Sequence, residues 1–500
     1  MFFATARSTN LGKLNLANNK PRTFTSLFSL AKAMIISLQI YAATAPLTIA
    51  NATSDTQPLA SDQQVTQSDI QNENWPSETS NSDSVQDNEQ DDEWADEQWQ
   101  EESPWQFSGF TELAYGGFTQ NNEVIGTNQS LAEARARLEL NYSHQNFDIT
   151  ASGDLLFDQV TDKTQWSTRE LTISASPFSA LDLKIGRQVL TWGTGDYLFL
   201  NDMFAKDWQS FFSGRDDEYL KAPSNSMRLT SYYSDVTFDF VWTASFTPDN
   251  YLTGERFSFY SPAAGGNVAP DEHFIVETTN SSQYSARVST TMAGVEYALY
   301  GYHGYWTTPV GQGFSDISTI ENSANSYYYF PKLTTWGASA LTPLANGIFN
   351  AEFAYYDSRE DKGGDNPFIA NSQIKALIGY EQEVAKNLTA SVQYYLEKTL
   401  DYQALKANYP FPETLVDEHR HLLTLRLRYS AMQQNLTLNF FSFYSPSDKD
   451  AYIKPSVNYR YSDSLSFAAG ANIFFGNEAH TFFGQHQDNS NAWLRARMQF

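Results

Sequence analysis

The chain has 500 residues, no cysteine and a formal net charge of −26. Without cysteine, a disulfide scaffold, a zinc–thiolate site and a thiol nucleophile are excluded, and the negative charge argues against nucleic acid as a partner. Beyond residue 50 no run of about 18 apolar residues predicts a transmembrane helix. A membrane β-barrel is still compatible with the sequence, because only alternate residues of its strands face lipid.

The first 52 residues are predicted to be a cleaved signal peptide. They hold five basic and no acidic residues, and the apolar run AMIISLQIYAATA precedes the small residues Ala50 and Ala52. A basic region, an apolar core and a small-residue cleavage site are the parts of a secretory signal. An uncleaved membrane anchor is the alternative, but the apolar run is short for a span and Pro46 interrupts it.

Residues 53–104 are predicted to form a disordered acidic tether. They contain fifteen Asp or Glu and no Lys or Arg. A segment of this composition buries too little apolar surface to offset the entropy lost on ordering. Within it, Trp75, Trp94 and Trp99 are either a docking motif for a partner or for the barrel mouth, or incidental.

From Trp105 onward the polarity of the sequence alternates with a period of two. The runs VTFDFVWTASF (236–246) and LTASVQYYLE (388–397) are clear examples, and their length suits tilted membrane strands. Sixteen strands is the alternative to eighteen, because the segments around 225–235 and 329–340 are the least regular. The eighteen segments that we count start near residues 105, 130, 146, 164, 181, 225, 235, 282, 292, 329, 347, 370, 387, 419, 435, 450, 463 and 490.

The connections between these segments alternate between short and long. Outer-membrane barrels have short periplasmic turns and longer external loops, whereas a soluble sandwich has no reason to sort its connections in this way. Aromatic clusters at 232–233, 300–306, 327–330 and 440–444 are expected to form interfacial girdles. The sequence therefore predicts an all-β fold, an antiparallel transmembrane β-barrel over residues 105–500, in the outer membrane of a Gram-negative bacterium. The short connections lie near 142–146, 176–180, 234–235, 291–294, 342–347, 383–387, 431–434 and 461–463.

The stretch IGRQVLTWGTGDYLFLNDMF (185–204) is the strongest local motif. Its Gly186-Arg187-Gln188 followed by Trp192-Gly193 resembles the G-R-Q-x-x-x-W-G stretch of porin-like families such as the alginate-export-type barrels. The resemblance covers about twenty residues and implies a barrel with a channel role, not alginate as the substrate.

The long connection 192–224 is predicted to fold into the barrel as a constriction or plug. Its glycines permit a sharp turn, and its apolar residues are able to pack inside; an external lid is the alternative. A calcium site at Asp216, Asp217 and Glu218 is not favoured, because nothing fixes the remaining oxygen ligands. The candidate constriction residues are Arg187, Trp192, Asp196, Asp202, Arg215, Asp216, Asp217 and Glu218.

A second set of candidates follows from strand alternation, which turns basic side chains toward the barrel interior. A ring of such residues favours anionic solutes, whereas the alternative is cross-strand pairing with inward acids such as Glu112, Glu133, Glu139 and Glu296. The acidity of the loops argues against anion capture from outside but not against export of an anion. The predicted pore-lining basic belt consists of Arg135, Arg137, Arg426, Arg428, Lys454, Arg460, Arg495 and Arg497.

The last ten residues, NAWLRARMQF, alternate apolar and polar and end on phenylalanine. This pattern resembles the C-terminal signature of bacterial outer-membrane proteins. The resemblance implies that Phe500 and Met498 form an assembly signal for the barrel-assembly machinery, with membrane lipid as the other partner of this strand.

The predicted function is that of a porin-like channel for a small, anionic or amphiphilic solute. The first alternative is the outer-membrane component of an export system, joined to an inner-membrane or periplasmic transporter. The second alternative is a barrel hydrolase, but we see no nucleophile motif beside any of the seven histidines. His419 and His421 share a strand face without a visible third ligand, so no metal site, no cofactor and no enzymatic activity are expected.

Overall fold

The computed structural model describes residues 103–262, 264–269, 275–314 and 326–500. The predicted signal peptide and all but the last two residues of the predicted tether lie outside these ranges. No helix among the described residues is long and apolar enough to cross a membrane.

Eighteen of the described strands form a single antiparallel sheet that closes on itself, because β1 pairs with both β2 and β23. The other five, β8–β10, β13 and β14, are short and lie in the connections. The strands are β1 (Trp105–Phe118), β2 (Gln129–His144), β3 (Phe147–Asp158), β4 (Lys163–Phe178), β5 (Leu181–Val189), β6 (Pro223–Tyr233), β7 (Val236–Thr243), β8 (Phe259–Ser261), β9 (Gly266–Val268), β10 (Ile275–Glu277), β11 (Gln283–Met292), β12 (Val295–Tyr305), β13 (Gly311–Phe314), β14 (Ser326–Tyr329), β15 (Lys332–Leu344), β16 (Gly347–Ser358), β17 (Gln373–Ala385), β18 (Leu388–Thr399), β19 (His419–Ala431), β20 (Leu436–Ser445), β21 (Asp450–Arg460), β22 (Leu465–Gly476) and β23 (Asn491–Gln499).

Short helices occur only in the long connections of the described chain. The β5–β6 loop contains α1 (Trp208–Ser213) and a 3-10 turn at Asp217–Leu220. The β18–β19 loop contains α2 (Tyr402–Asn408) and a 3-10 turn at Pro412–Thr414, and the β22–β23 loop contains one at Gly484–Asn489.

The predicted strand count of eighteen is confirmed, and the alternative of sixteen is wrong. Each predicted segment begins within three residues of an observed barrel strand. The eight connections predicted to be short all lie at one end of the barrel, whereas the four-residue connections β3–β4 and β20–β21 lie at the other end with the long loops. Several of the eight are two-residue turns that contain a residue with positive φ, such as Ser234, Ala293, Ala345 and Asn387, which is the backbone geometry that joins twisted antiparallel strands tightly.

The two faces of each barrel strand differ in polarity. On β23 the side chain of Leu494 is 57% exposed, whereas its neighbour Arg495, which points inward, is a buried residue. Placing an arginine on the lipid face near the bilayer midplane costs about 2–4 kcal/mol, so the alternation fixes which side of the sheet faces inward. A closed antiparallel barrel with an apolar exterior and a polar interior has the architecture of an outer-membrane barrel. The exposed apolar exterior includes Leu138, Leu171, Ile173, Phe238, Leu299, Trp336, Phe353, Ile378, Val392, Leu423, Leu438, Phe467 and Leu494.

The main hydrophobic cluster lies inside the barrel rather than between two layers. It joins apolar residues of the β5–β6 loop, among them Leu200, Phe211 and Phe212, to inward residues of strands on the opposite wall, such as Tyr452 and Phe474. Burial of this apolar surface supplies the driving force that holds the loop within the barrel.

Candidate functional site

The β5–β6 loop, residues 190–222, runs through the barrel interior and is not an external lid. Its chain contacts β16 through Glu352, β18 through Ser391 and β23 through Arg495. These strands lie on the wall away from β5 and β6, where the loop begins and ends. The loop therefore narrows the lumen.

The first turn of the loop is held by Glu352, an inward carboxylate on β16. Gly193 adopts φ +93°, a left-handed conformation that favours glycine. The turn directs the Gly195 N–H and the Thr194 hydroxyl to one Glu352 oxygen at 2.9 and 2.8 Å, while the Asn201 amide donates to the other at 2.9 Å. The W-G-x-G part of the motif thus forms a carboxylate-bound turn.

Trp192 and Asp196, two predicted constriction residues, lie inside the barrel. The Trp192 ring packs 5.0 Å from Phe204 and 6.2 Å from Tyr300, measured between ring centroids. Asp196 accepts a hydrogen bond from Ser391 at 3.2 Å and pairs with Arg426 at 2.9 Å.

The middle of the loop, centred on α1, packs against β20–β22 through aromatic rings; we call Phe211, Phe212, Phe443, Tyr452 and Phe474 the aromatic anchor. The Phe212 ring lies 5.2 Å from Phe474 and 5.6 Å from Tyr452. The Phe212 carbonyl also accepts hydrogen bonds from the Asn472 and Asn491 amides at 2.9 and 3.0 Å. The anchor therefore buries the rings, and the two asparagine amides satisfy a free backbone carbonyl at the C-terminal end of α1.

After α1 the loop becomes polar; we call residues 214–219 the charged arm. Gly214 has φ +86°, and a Cβ there would lie 2.1 Å from the Trp493 ring. The next residue, Arg215, pairs with Glu133 at 2.5 Å. Glu133 also pairs with Arg256 of the β7–β11 loop at 3.2 Å, so one buried carboxylate of β2 joins two loops.

Three consecutive carboxylates of the charged arm pair with three different parts of the wall. Asp216 pairs with Arg495 at 3.0 Å and Arg497 at 3.5 Å, Asp217 pairs with Lys454, and Glu218 pairs with Arg137 at 2.9 Å. Burial opposes ionisation of Asp216, but the two arginines outweigh it and lower its pKa. The arm is thus held to the wall by charge.

The basic belt is extensively paired where it meets the charged arm. Arg135 and Arg137 both bind Asp154 of β3, at 2.8 and 2.6 Å, and Arg495 and Arg497 share Glu112 at 3.5 and 2.9 Å. Of the acids expected to pair with the belt, Glu112 and Glu133 do so closely. Glu139 lies 3.7 Å from Arg137, whereas Glu296 pairs with Arg287, outside the predicted belt.

The remaining belt members lie nearer the short turns. Arg426 pairs with Asp196 and Glu381, and the Arg460 guanidinium donates to the Asn435 amide oxygen at 3.1 Å. Arg428 is exposed, and no described carboxylate forms an ion pair with it.

Two predicted constriction residues, Arg187 and Asp202, do not face the lumen. Arg187 is on the outer face of β5, because its strand position has the same parity as the exposed Ile185 and Val189; its guanidinium donates to the Thr168 carbonyl at 2.7 Å. Asp202 is inside but buried, and it pairs with Lys206 of the same loop at 3.0 Å. Arg187 therefore does not line the pore, and Asp202 stabilises the loop internally.

The predicted aromatic girdles are only partly external. Tyr233 and Tyr444 are exposed on the outside, whereas Tyr232 has the inward parity of Thr230, and Tyr302 and Phe443 are buried in the interior. Strand alternation explains the difference, because neighbours in an aromatic run point to opposite faces.

No group of three or more potential metal-ligating side chains occurs among the described residues. The carboxylates of the unfavoured calcium site, Asp216, Asp217 and Glu218, are bound by Arg or Lys side chains. Met498 and Phe500 expose their side chains on the outside of the barrel, and Phe500 exchanges backbone hydrogen bonds of 3.0 Å with Gly109.

Sequence reasoning missed Glu352, Asp154 and Arg256. The first two had a signal, since Glu352 has an inward position on β16 and Asp154 pairs in register with Arg137. No sequence signal indicated the position of Arg256, because it reaches Glu133 and Asp158 from a connection with no repeating pattern.

The interior loop and the closed sheet define the class of the fold: an eighteen-stranded antiparallel β-barrel with a loop folded into its lumen. No protein-family model matches the chain, and no curated protein matches it. Among solved structures it is similar to OccD3 (OpdP) of Pseudomonas aeruginosa, with a TM-score of 0.46, 9% identity and coverage of 79% of this chain and 90% of that one. For OccAB3 of Acinetobacter baumannii the TM-score is 0.47 and the identity 10%, with coverage of 79% of this chain and 99% of that one. For OccK8 (OprE) of P. aeruginosa the TM-score is 0.45 and the identity 12%, with coverage of 79% of this chain and 97% of that one.

Proposed function

We propose that the protein is a passive channel of the outer membrane, narrowed by its β5–β6 loop, for a small polar or amphiphilic solute. The observation that carries the proposal is the course of this loop, which lies inside the barrel from the Glu352-bound turn to the charged arm. An eighteen-stranded barrel is wide enough to hold a water-filled lumen that such a loop restricts. The resemblance of residues 186–193 to porin-like families supports the same role.

The choice between the two expected solute classes depends on which charges water reaches. An anionic solute requires an accessible basic belt. The side chains of Arg135, Arg137, Lys454 and Arg495 are buried and paired with carboxylates, which favours the amphiphilic class.

Single-channel recording in planar lipid bilayers tests the channel and its constriction together. We expect discrete conductance steps from the wild type and larger steps when residues 196–219 are replaced by a short Gly-Ser linker, because the loop no longer fills the lumen. A matched control shortens the β18–β19 loop at residues 402–414 and should leave the steps unchanged.

Two results would overturn the proposal. Without conductance from either the wild type or the linker variant, the barrel is not a channel. If the linker variant alone conducts, the native state is closed and a gated export component becomes the better assignment. That alternative further requires co-purification of a transport partner that is lost when residues 53–104 are deleted.

A further inference from the structure

The charge on the wall of the lumen differs from the charge that faces its water. The side chains of Lys454 and Arg137 are only 7% and 6% exposed, whereas their partners Asp217 and Glu218 on the charged arm are 51% and 36% exposed. In both pairs the carboxylate lies between the cation and the lumen. The part of the basic belt that meets the charged arm is therefore covered by an acidic layer.

The surroundings of Asp217 explain why its carboxylate, and not the Lys454 ammonium, faces the lumen. The Lys454 ammonium lies 4.2 Å from the centroid of the Phe211 ring, a position that a cation favours. Tyr197 donates its hydroxyl to Asp217 at 2.7 Å and packs on Phe441 with ring centroids 4.7 Å apart. The lysine is enclosed by aromatic rings and by the carboxylate, which faces the water.

The same arrangement, with the carboxylate toward the lumen and the cation toward the wall, recurs along the charged arm. Arg497 is 17% exposed and lies 3.5 Å from Asp216 and 3.6 Å from Glu218. Across the lumen, the more exposed cations Lys184, Arg228 and Arg287 are each paired with a described carboxylate. Arg426, Arg428 and Arg460, near the short turns, are the accessible cations that remain on the predicted belt.

We propose that Asp217 and Glu218 determine the ionic selectivity of the channel and give it a preference for cations. This inference rests on the proposed channel function and deepens it, because it assigns the selectivity to two loop carboxylates rather than to the arginines of the wall. Neutralising these carboxylates would uncover Lys454 and Arg137, and the preference would move toward anions.

The test is the K⁺/Cl⁻ permeability ratio, measured from reversal potentials in planar bilayers under a KCl gradient. We expect a ratio above one for the wild type. For the double variant D217N/E218Q, which removes two charges, the ratio should fall by more than about fivefold, the change that a single unit charge about 4 Å from an ion in water produces. The control D235N changes an exposed acid in the turn between β6 and β7 and should leave the ratio unchanged.

A charge-compensated variant separates electrostatics from a displaced loop. D217N should lower the ratio by itself, whereas D217N/K454M should restore it toward the wild-type value, because both members of the pair are then neutral. An anion-selective wild type, or a double variant D217N/E218Q with an unchanged ratio, would overturn the inference while leaving the channel in place. Absence of conductance would instead count against the proposed function.

Discussion

The two halves of the β5–β6 loop are held inside the barrel by different physical means. The aromatic anchor buries Phe211 and Phe212 against β20–β22, whereas the charged arm pairs Asp216, Asp217 and Glu218 with basic side chains of the wall. Apolar burial contributes stability that electrostatic screening by salt does not weaken. Partly exposed ion pairs contribute little stability but present charge to water. The comparison indicates that one half positions the loop and the other sets its chemistry.

The largest expected effect comes from breaking the anchor with Phe212→Ala. Removing a buried phenylalanine costs about 3–5 kcal/mol, so the loop should open locally more often. Faster amide hydrogen exchange over residues 208–214 would report this opening. The control Phe482→Ala removes a ring that is exposed on the β22–β23 loop, and exchange in the anchor should stay at the wild-type rate. Unchanged exchange in both variants would contradict the role of the anchor.

Acid should loosen the β22–β23 loop where it covers the anchor. His486 packs 5.4 Å from Phe212 and 5.5 Å from Phe474, and burial lowers its pKa to about 4. The unfolded loop, with an ordinary pKa near 6.5, takes up the proton first as the pH falls. Neutral His486 therefore stabilises the folded loop fully above about pH 6.5. This stabilisation is lost as the pH falls toward 4, and the largest possible loss is about 3 kcal/mol.

Limited proteolysis of residues 477–490 at pH 7, 5 and 4 checks this acid sensitivity. The variant His486→Phe should lose the pH dependence while keeping the aromatic packing. If the variant and the wild type became equally sensitive to protease on acidification, His486 would not be the responsible group.

Gly214→Ala should strain the junction between the two halves. The residue has φ +86°, and the added Cβ would meet the Trp493 ring. Strain of this kind costs about 1–3 kcal/mol, so exchange should rise on both sides of the junction but less than in Phe212→Ala. Exchange that rises only in the charged arm would show that the anchor is independent of the junction.

The smallest effect on stability is expected for Asp217→Asn. Because the Asp217 side chain is half exposed, its pair with Lys454 should contribute less than about 1 kcal/mol. The denaturant midpoint of the barrel in lipid vesicles should therefore remain close to the wild-type value. A large loss of stability would assign Asp217 to positioning rather than to selectivity.

Strand parity predicts the wall residues of the site better than the local motif does. The motif predicts Arg187 in the pore, whereas its parity with Ile185 places it on the outer face of β5. Parity predicts the basic belt and its wall partners Glu112 and Glu133 but not its pairing with the loop acids, because Asp217 and Lys454 are separated by 237 positions in the chain.

The sequence by itself determined the eighteen strands, their faces and the end of the barrel at which the short turns lie. Each of these follows from interactions between near neighbours, namely alternation along a strand and tight turns between adjacent strands. Only the tertiary structure decided the course of the β5–β6 loop and which acids cover the basic belt. The loop has no period, and its path depends on contacts with walls that the closure of the barrel brings opposite one another.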